Sequence, residues 1–400
     1  MLSLMSFVAQ GDSRMGFELE RLSRINEMAK VYVDDGLLPA VIYSVVRADG
    51  VVHTASVGDY RPDHVFRIYS MTKPVTAVAT LVLMEEGKLL LTDPVSRYLP
   101  EFDDVRVRQE DGTTRETVRP MTIRHLLTHT AGLTYSGNPS AVSKMYGEAA
   151  LWEARSLEEF SHRVAALPLV ADPGELWRYS VSLDVLGRVI EVISGQTLDA
   201  FFQDRVFTPL KMTDTGFTLR EDQRDRFVAL FDHREGGMEP ASSESVDEFL
   251  KPNFPTGGSG LVATLGDYMR FARMLLGSGE LDGVRLLSRK SVDLMMADHA
   301  LAMNPGLRVN EAWLGNTENR NGGTDLIGFG FGLGGAVIRD VAANVVPGSP
   351  GTYGWGGTGN TYFFVDRSED VSGIFFTQLR PSGTYPVRAQ FRTLVYQAMQ

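Results

Sequence analysis

Ser70 and Lys73 stand three residues apart in the stretch Phe-Arg-Ile-Tyr-Ser-Met-Thr-Lys-Pro, and no other serine in the chain has a lysine three positions on. Residues i and i+3 share one face of a helix, so the hydroxyl and the amine can touch. A serine hydroxyl is a poor nucleophile until a neighbouring base takes its proton. Ser-x-x-Lys supplies both parts within one turn. The residues that follow, Val75, Val78, Ala79, Val82 and Met84, are apolar on nearly every side, so this helix is expected to be buried. Burial disfavours a charged amine and makes Lys73 a usable base. A first-turn lysine also faces the positive end of the helix dipole, a poor place for a merely solvated cation. The plain alternative is an N-capping serine followed by a surface lysine.

Two further stretches could serve the same chemistry. Tyr179 and Ser180 follow Pro173-Gly-Glu-Leu-Trp-Arg178, at the junction of a turn and a helical pattern. A phenol there can exchange a proton with a leaving group if cations stabilise its phenolate. It can equally be a packing aromatic, and Tyr135 is also followed by serine, so the pair does not single out Tyr179. Gly354-Trp355-Gly356-Gly357-Thr358-Gly359 precedes a strand. Free N–H groups at such an edge can hold an oxyanion, or the glycines can simply build a turn. His125 and His129 are four apart on an expected helix, but no glutamate follows His125 as a zinc-protease motif requires, so structural histidines are expected and no metal. No Gly-x-Ser-x-Gly pentapeptide occurs, which argues against an elbow-type Ser-His-Asp hydrolase.

The elements that must position these groups are readable in outline. Phe17–Val33 has the stripe of an amphipathic helix. Ala40–Val46 and Val51–Val57 form a hairpin across Ala48-Asp49-Gly50. A helix runs from about Ser70 to Glu86, with Pro74 in its first turn and Gly87 closing it. From about 90 to 250 the chain reads as mostly helical and loop-rich, with helices at Met121–Thr130 and Val181–Ile193. Asp222–Pro255 reads as a polar surface loop, and Leu261–Leu276 as a helix. Thr361–Val365 and Val371–Gln378 pair across Asp366–Asp370, and Pro386 opens a terminal helix. Strands at both ends with helices between predict an α/β fold of the α+β type: an antiparallel sheet flanked by helices. The sheet subdomain takes residues 1–90 and 260–400, the mainly helical one 91–259, with the active site at their interface.

Composition bounds the rest. The chain has 400 residues, 43% apolar and 22% charged, with a net charge of −11. That charge and the absence of any Lys/Arg run exclude a nucleic-acid surface. No apolar stretch is long enough to span a bilayer. Met1–Gln10 lacks a basic lead-in, a poor signal peptide, so a cytoplasmic location is expected. The absence of cysteine removes disulfides, thiolate catalysis and zinc–cysteine sites.

Ser-x-x-Lys, then Tyr-Ser, then a glycine-rich strand entry fall in the order of the serine β-lactamase-like superfamily. The chain resembles its class C branch, and most closely the family VIII carboxylesterases, from about Leu22 to the C-terminus. Supporting stretches are Thr122–Leu133, Pro173–Ser180, Pro209–Phe217 and Gly257–Leu261. The resemblance implies a cofactor-free enzyme in which Ser70 is acylated, Lys73 shares or takes its proton, and Tyr179 relays protons to the leaving group and the deacylating water. It implies an oxyanion hole from the backbone N–H groups of Ser70 and Thr358, with Trp355, Gly356, Gly357, Tyr135 and Val181 around the substrate. The segment Trp355-Gly356-Gly357 falls where β-lactamases carry Lys-Thr-Gly, and Val181 falls where their tyrosine motif ends in Asn. Both departures remove polar recognition, so small neutral esters are expected over β-lactams. Pocket width is expected from the loops Tyr135–Met145 and Phe231–Phe254. A class C-like β-lactamase or D-alanyl-D-alanine peptidase, an acyltransferase, and a non-catalytic sensor module stay open as rivals.

Overall fold

The computed structural model of the protein describes residues 13–137, 140–241, 249–304, 307–309 and 328–400. The segment read above as a poor signal peptide, and parts of the two expected pocket loops, lie outside them. In chain order the elements that frame the site are α1 (Leu19–Asp34), β1 (Val41–Arg47), β2 (Gly50–Val57), β3 (Val65–Arg67), α2 (Thr72–Glu85), α3 (Ser182–Ser194), β4 (Val262–Thr264) and α4 (Leu265–Leu276). After them come β5 (Phe329–Phe331), β6 (Ala336–Ile338), β7 (Tyr353–Gly356), β8 (Tyr362–Asp366), β9 (Val371–Phe376) and α5 (Val387–Tyr396).

Seven strands form one antiparallel sheet in the order β5-β6-β7-β8-β9-β1-β2. Strands from both ends of the sequence thus meet at the β9–β1 junction, where Ser372 pairs with Val46 and Phe376 with Ile42. Alternate side chains point to opposite faces. Val41, Tyr43 and Val45 enter a core shared with α1 and α5, while Ile42 and Val46 enter the larger core around α2 and α4. Both faces are covered, which is why β1 reads as a nearly continuous apolar run. The serine inside that run, Ser44, is satisfied by the His53 carbonyl and the Thr54 hydroxyl.

Helix α2 is buried from Thr72 through Leu83, as its all-apolar body predicts. Its two inner threonines bond back to carbonyls one turn earlier, Thr76 to Thr72 and Thr80 to Thr76. Four expectations need correction. The β1–β2 loop is Ala48-Asp49 alone, since Gly50 already pairs with Arg47. The expected helix Leu261–Leu276 begins only at Leu265, because residues 262–264 pair with β3. The expected helix Met121–Thr130 shrinks to Ile123–Leu127; Thr122 caps it, and His129 takes a positive φ of 55° that no helix continues. The expected loop Asp222–Pro255 contains a hairpin, Phe231–Arg234 with Gly237–Pro240, which pairs in parallel with Leu379–Arg380. Its polar side chains gave no alternating signal; the backbone ladder and the left-handed Gly236 at the turn make it.

Candidate active site

Ser70 sits in a 3₁₀ turn, Tyr69–Met71, that runs straight into α2. Tyr69 has φ 44°, a left-handed conformation that costs a bulky residue energy. Such strain persists only where the surroundings enforce it. Here Ile68 is fixed on both sides: its N–H donates to Leu261 O at 3.1 Å and its carbonyl accepts from Thr361 Oγ1 at 3.3 Å. The turn consumes the N–H groups of Met71 and Thr72.

Lys73 is wholly buried one turn on. Its Nζ lies 3.2 Å from Ser70 Oγ, 2.8 Å from Gly258 O and 3.4 Å from Tyr135 Oη. It also stands 4.5 Å from the centroid of the Tyr179 ring. Tyr179 Oη donates to Ser70 Oγ at 2.7 Å. The serine oxygen therefore touches phenol and amine together, although 109 residues separate the phenol from it.

Tyr179 is held through its neighbours. The Arg178 N–H donates to the His129 carbonyl at 2.8 Å, and the Ser180 N–H to His129 Nδ1 at 3.3 Å. The imidazole packs on the phenol at 4.7 Å between centroids. Burial, then the charge of Lys73, hold His129 well below the usual histidine range, so it is a neutral brace. His125 works elsewhere: its Nδ1 accepts from the Thr122 N–H while its own N–H bonds Thr122 Oγ1, a reciprocal helix cap, and burial lowers it to about 4.

Behind Lys73 lies a carboxylate that the sequence reading did not single out. Asp184, in the first turn of α3, is 0% exposed. Its Oδ1 accepts from the Gly258 N–H at 2.8 Å, and Oδ2 is buried without a partner. Burial pushes it up to about 6, against the pull of Lys73 and of that N–H. The Gly257–Gly258 peptide is pinned from its other edge by Thr76 Oγ1, 2.6 Å from Gly257 O. A Cβ at Gly258 would fall 2.5 Å from the Asp184 carboxylate, so only glycine lets the two approach.

The glycine-rich strand end forms the opposite wall. Trp355 packs tilted against Tyr179 at 5.5 Å and edge-on against Phe331 at 5.3 Å, and its Nε1–H points at Tyr179 Oη, 3.4 Å away. Gly357 lies against the residue before Tyr69: a Cβ there would come 2.4 Å from Ile68 O. Its N–H bonds Thr361 O, and Thr358 projects outward as an exposed residue. The side of Gly356 where a Cβ would stand is filled by the Arg388 guanidinium.

The structure thus brings Ser70, Lys73, Tyr179, Tyr135 and Trp355 into contact. Tyr135, expected only along the substrate wall, reaches Lys73 itself; burial raises its phenol well above the usual range, so it stays protonated. Val181, expected at the substrate, is 1% exposed and packed in the main core, so its side chain offers a ligand almost no surface. The residues missed are Asp184, Thr76, His129 as a brace, the Gly258 carbonyl and Arg388. The Gly-Gly-Ser-Gly run was visible in the sequence; nothing local tied the others to the site.

The β-lactamase family model matches residues 25–397. The chain is 34% identical to Esterase EstB of Burkholderia gladioli over 366 residues, covering 88% of this chain and 86% of that protein. It is 32% identical to the lovastatin esterase of Penicillium rubens, covering 78% of this chain and 79% of that one. Among solved structures, EstCE1, described as a hydrolase with promiscuous acyltransferase activity, superimposes with a TM-score of 0.76 at 26% identity, covering 94% of this chain and 99% of that one.

Proposed function

This chain belongs to the β-lactamase family, and on that premise we propose that it is a serine ester hydrolase acting through an acyl-enzyme on small neutral esters, with weak or no β-lactam hydrolysis. The observation that carries this reading is the double contact on Ser70 Oγ, from Tyr179 Oη at 2.7 Å and Lys73 Nζ at 3.2 Å. Relatives named as esterases support the substrate class.

The hydrogen bonds around Lys73 leave it free to act as the base. Two of its N–H bonds can go to Gly258 O and Tyr135 Oη, leaving the lone pair toward Ser70 Oγ. Ser70 Oγ attacks the ester carbon and its proton passes to Lys73. The oxyanion is received by the N–H groups of Ser70 and Thr358. The carbon–oxygen bond to the alcohol breaks, and the alcohol leaves with the Tyr179 proton. The phenolate left behind faces the new Lys73 ammonium across its ring and the Trp355 Nε1–H at its oxygen. Water then attacks the acyl-enzyme and returns a proton to Tyr179, while Lys73 restores the Ser70 hydroxyl. Both proton carriers end as they began.

Trp355 offers an aromatic surface where β-lactamases place a lysine, and this favours neutral esters. A second reading, acyl transfer to an alcohol in place of water, is favoured by the described activity of EstCE1. Intact-mass measurement after brief exposure to p-nitrophenyl esters and a cephalosporin tests the proposal. An acyl adduct from the ester that is absent in Ser70→Ala is expected. Cephalosporin turnover rivalling that of an aryl ester would make the protein a β-lactamase. Ester product appearing on added butanol, faster than acid, would make it a transferase.

A further inference from the structure

We propose that Arg388, on the terminal helix α5, is a positioning residue that aims and polarises the Gly357–Thr358 peptide, so that the Thr358 N–H is turned toward the substrate oxyanion. This rests on the reading above, in which that N–H is one of the two oxyanion donors.

The Arg388 Nη2 donates to the Gly357 carbonyl at 2.5 Å. A trans peptide is planar, so the carbonyl of residue 357 and the N–H of residue 358 leave opposite edges of the same plane. Fixing one edge fixes the direction of the other. A guanidinium on the carbonyl forms a charge-assisted bond. It also draws electron density toward the oxygen, and hydrogen bonds in series strengthen one another in this way. The N–H facing the cleft becomes the better donor at the moment the carbonyl of the ester becomes an oxyanion.

The guanidinium is confined to this task by its surroundings. A Cβ on Gly356 would lie 2.5 Å from Nη1 and 2.6 Å from Cζ, so the fork rests flat against bare backbone. Among the described residues no carboxylate pairs with Arg388, and its Nε is buried without a partner. Burial lowers it only to about 10, so it remains a cation at neutral pH, and Tyr362 and Tyr179 lie within its electrostatic reach. A buried arginine without a carboxylate is expensive, and an apolar side chain would fill the same space at less cost. What the charge does have is the face of the Tyr362 ring, 5.8 Å from Cζ, and one carbonyl, on the peptide that borders Ser70's turn.

The test uses the full chain with Arg388→Met and Arg388→Lys, p-nitrophenyl acetate as substrate and a boronic acid as the tetrahedral mimic. Deleting an oxyanion donor outright costs about 10²- to 10³-fold. Arg388→Met only weakens and loosens one, so kcat should fall about 10-fold, with boronic acid affinity falling in step and KM within about 2-fold. Arg388→Lys, which keeps the charge without the fork, should recover part of that loss. A folded Arg388→Met with wild-type kcat and boronate affinity would overturn the inference. So would a loss confined to esters that carry a carboxylate, which would make Arg388 a substrate partner instead. If Arg388→Met does not fold, Arg388→Lys decides: kcat lowered about 2- to 5-fold at constant KM is expected, and unchanged kcat overturns the proposal. A wild-type protein that fails to acylate at all would sink the esterase reading, a result separate from either variant's.

Discussion

On the outer face of the central sheet, Tyr43, Phe364, Phe375 and Phe391 close an apolar layer against the terminal helices, with Phe391 5.3 Å from Phe375 and 5.8 Å from Tyr43 between ring centroids. The other side of the sheet is covered by α4, and beyond it Lys73, Asp184, His129 and Thr76 are all wholly buried. The outer layer gains stability from area removed from water, at roughly 25 cal/mol per Å². The inner layer buries an amine, a carboxyl group and an imidazole, each of which costs folding energy unless it is paired. Asp184 is held above its ordinary range, His129 well below its own, and one carboxylate oxygen has no partner. One face holds the molecule together. The other uses part of that stability to keep a serine between two proton carriers.

That contrast should survive or fail in measurable ways. Ser70→Ala should lose more than about 10⁴-fold in ester turnover with an unchanged melting temperature, because it removes the nucleophile and almost no packing. Phe391→Ala should do the reverse: about 3–5 kcal/mol less stable by urea unfolding, with kcat nearly intact for the folded fraction. If Phe391→Ala abolished turnover at full folding, the division between faces would be wrong. Tyr179→Phe keeps the ring packed on Trp355 and His129 and removes only the proton carrier, so kcat should drop about 10²-fold or more with little change in KM. Asp184→Asn preserves an acceptor for the Gly258 N–H and removes the charge. About a 10-fold fall in the Ser70 acylation rate, measured by stopped flow, is expected.

The smallest effect is one of pH. Burial raises Asp184 to about 6, above the ordinary aspartate value of 3.8. A carboxyl raised in the folded state contributes stability in full below its unfolded value, and that contribution is lost as pH rises through the folded one. His125, lowered to about 4 from 6.5, has the opposite slope, since its unfolded form takes up the proton first. The two partly cancel in the wild type between about pH 4 and 6. The difference in melting temperature between wild type and Asp184→Asn across that interval isolates the carboxylate: the variant should lose its relative disadvantage as pH rises. A difference that stays flat would show that Asp184 is not titrating there.

Much of the frame was readable because its signals are local. Ser70 and Lys73 share one helical turn, α2 is apolar on nearly every side, and the β8–β9 pair flanks an obvious turn. Tyr179 was singled out by resemblance, since in local terms Tyr135 looked the same, and the structure puts both phenols on one cluster. Asp184, Gly258 and Arg388 were hidden for a physical reason. Each acts across a gap in sequence, 74 residues from Asp184 to Gly258, 185 from Lys73 to Gly258, and 31 from Arg388 to Gly357. Two of those contacts use a backbone carbonyl, which every residue owns and no residue type advertises. The hairpin Phe231–Pro240 was missed likewise, because polar side chains masked a ladder made by the main chain.

Gly258 carries a hydrogen where any other residue would carry carbon, and the Asp184 carboxylate already occupies the space 2.5 Å from that missing atom. A methyl group there would act as a wedge, prising the helix that follows Tyr179 from the helix that starts at Ser70. The spacing between attacking and protonating groups is thus gauged by one small atom. Libraries that diversify residues 257–260 to enlarge the cleft should yield folded, inert proteins far more often than new specificities.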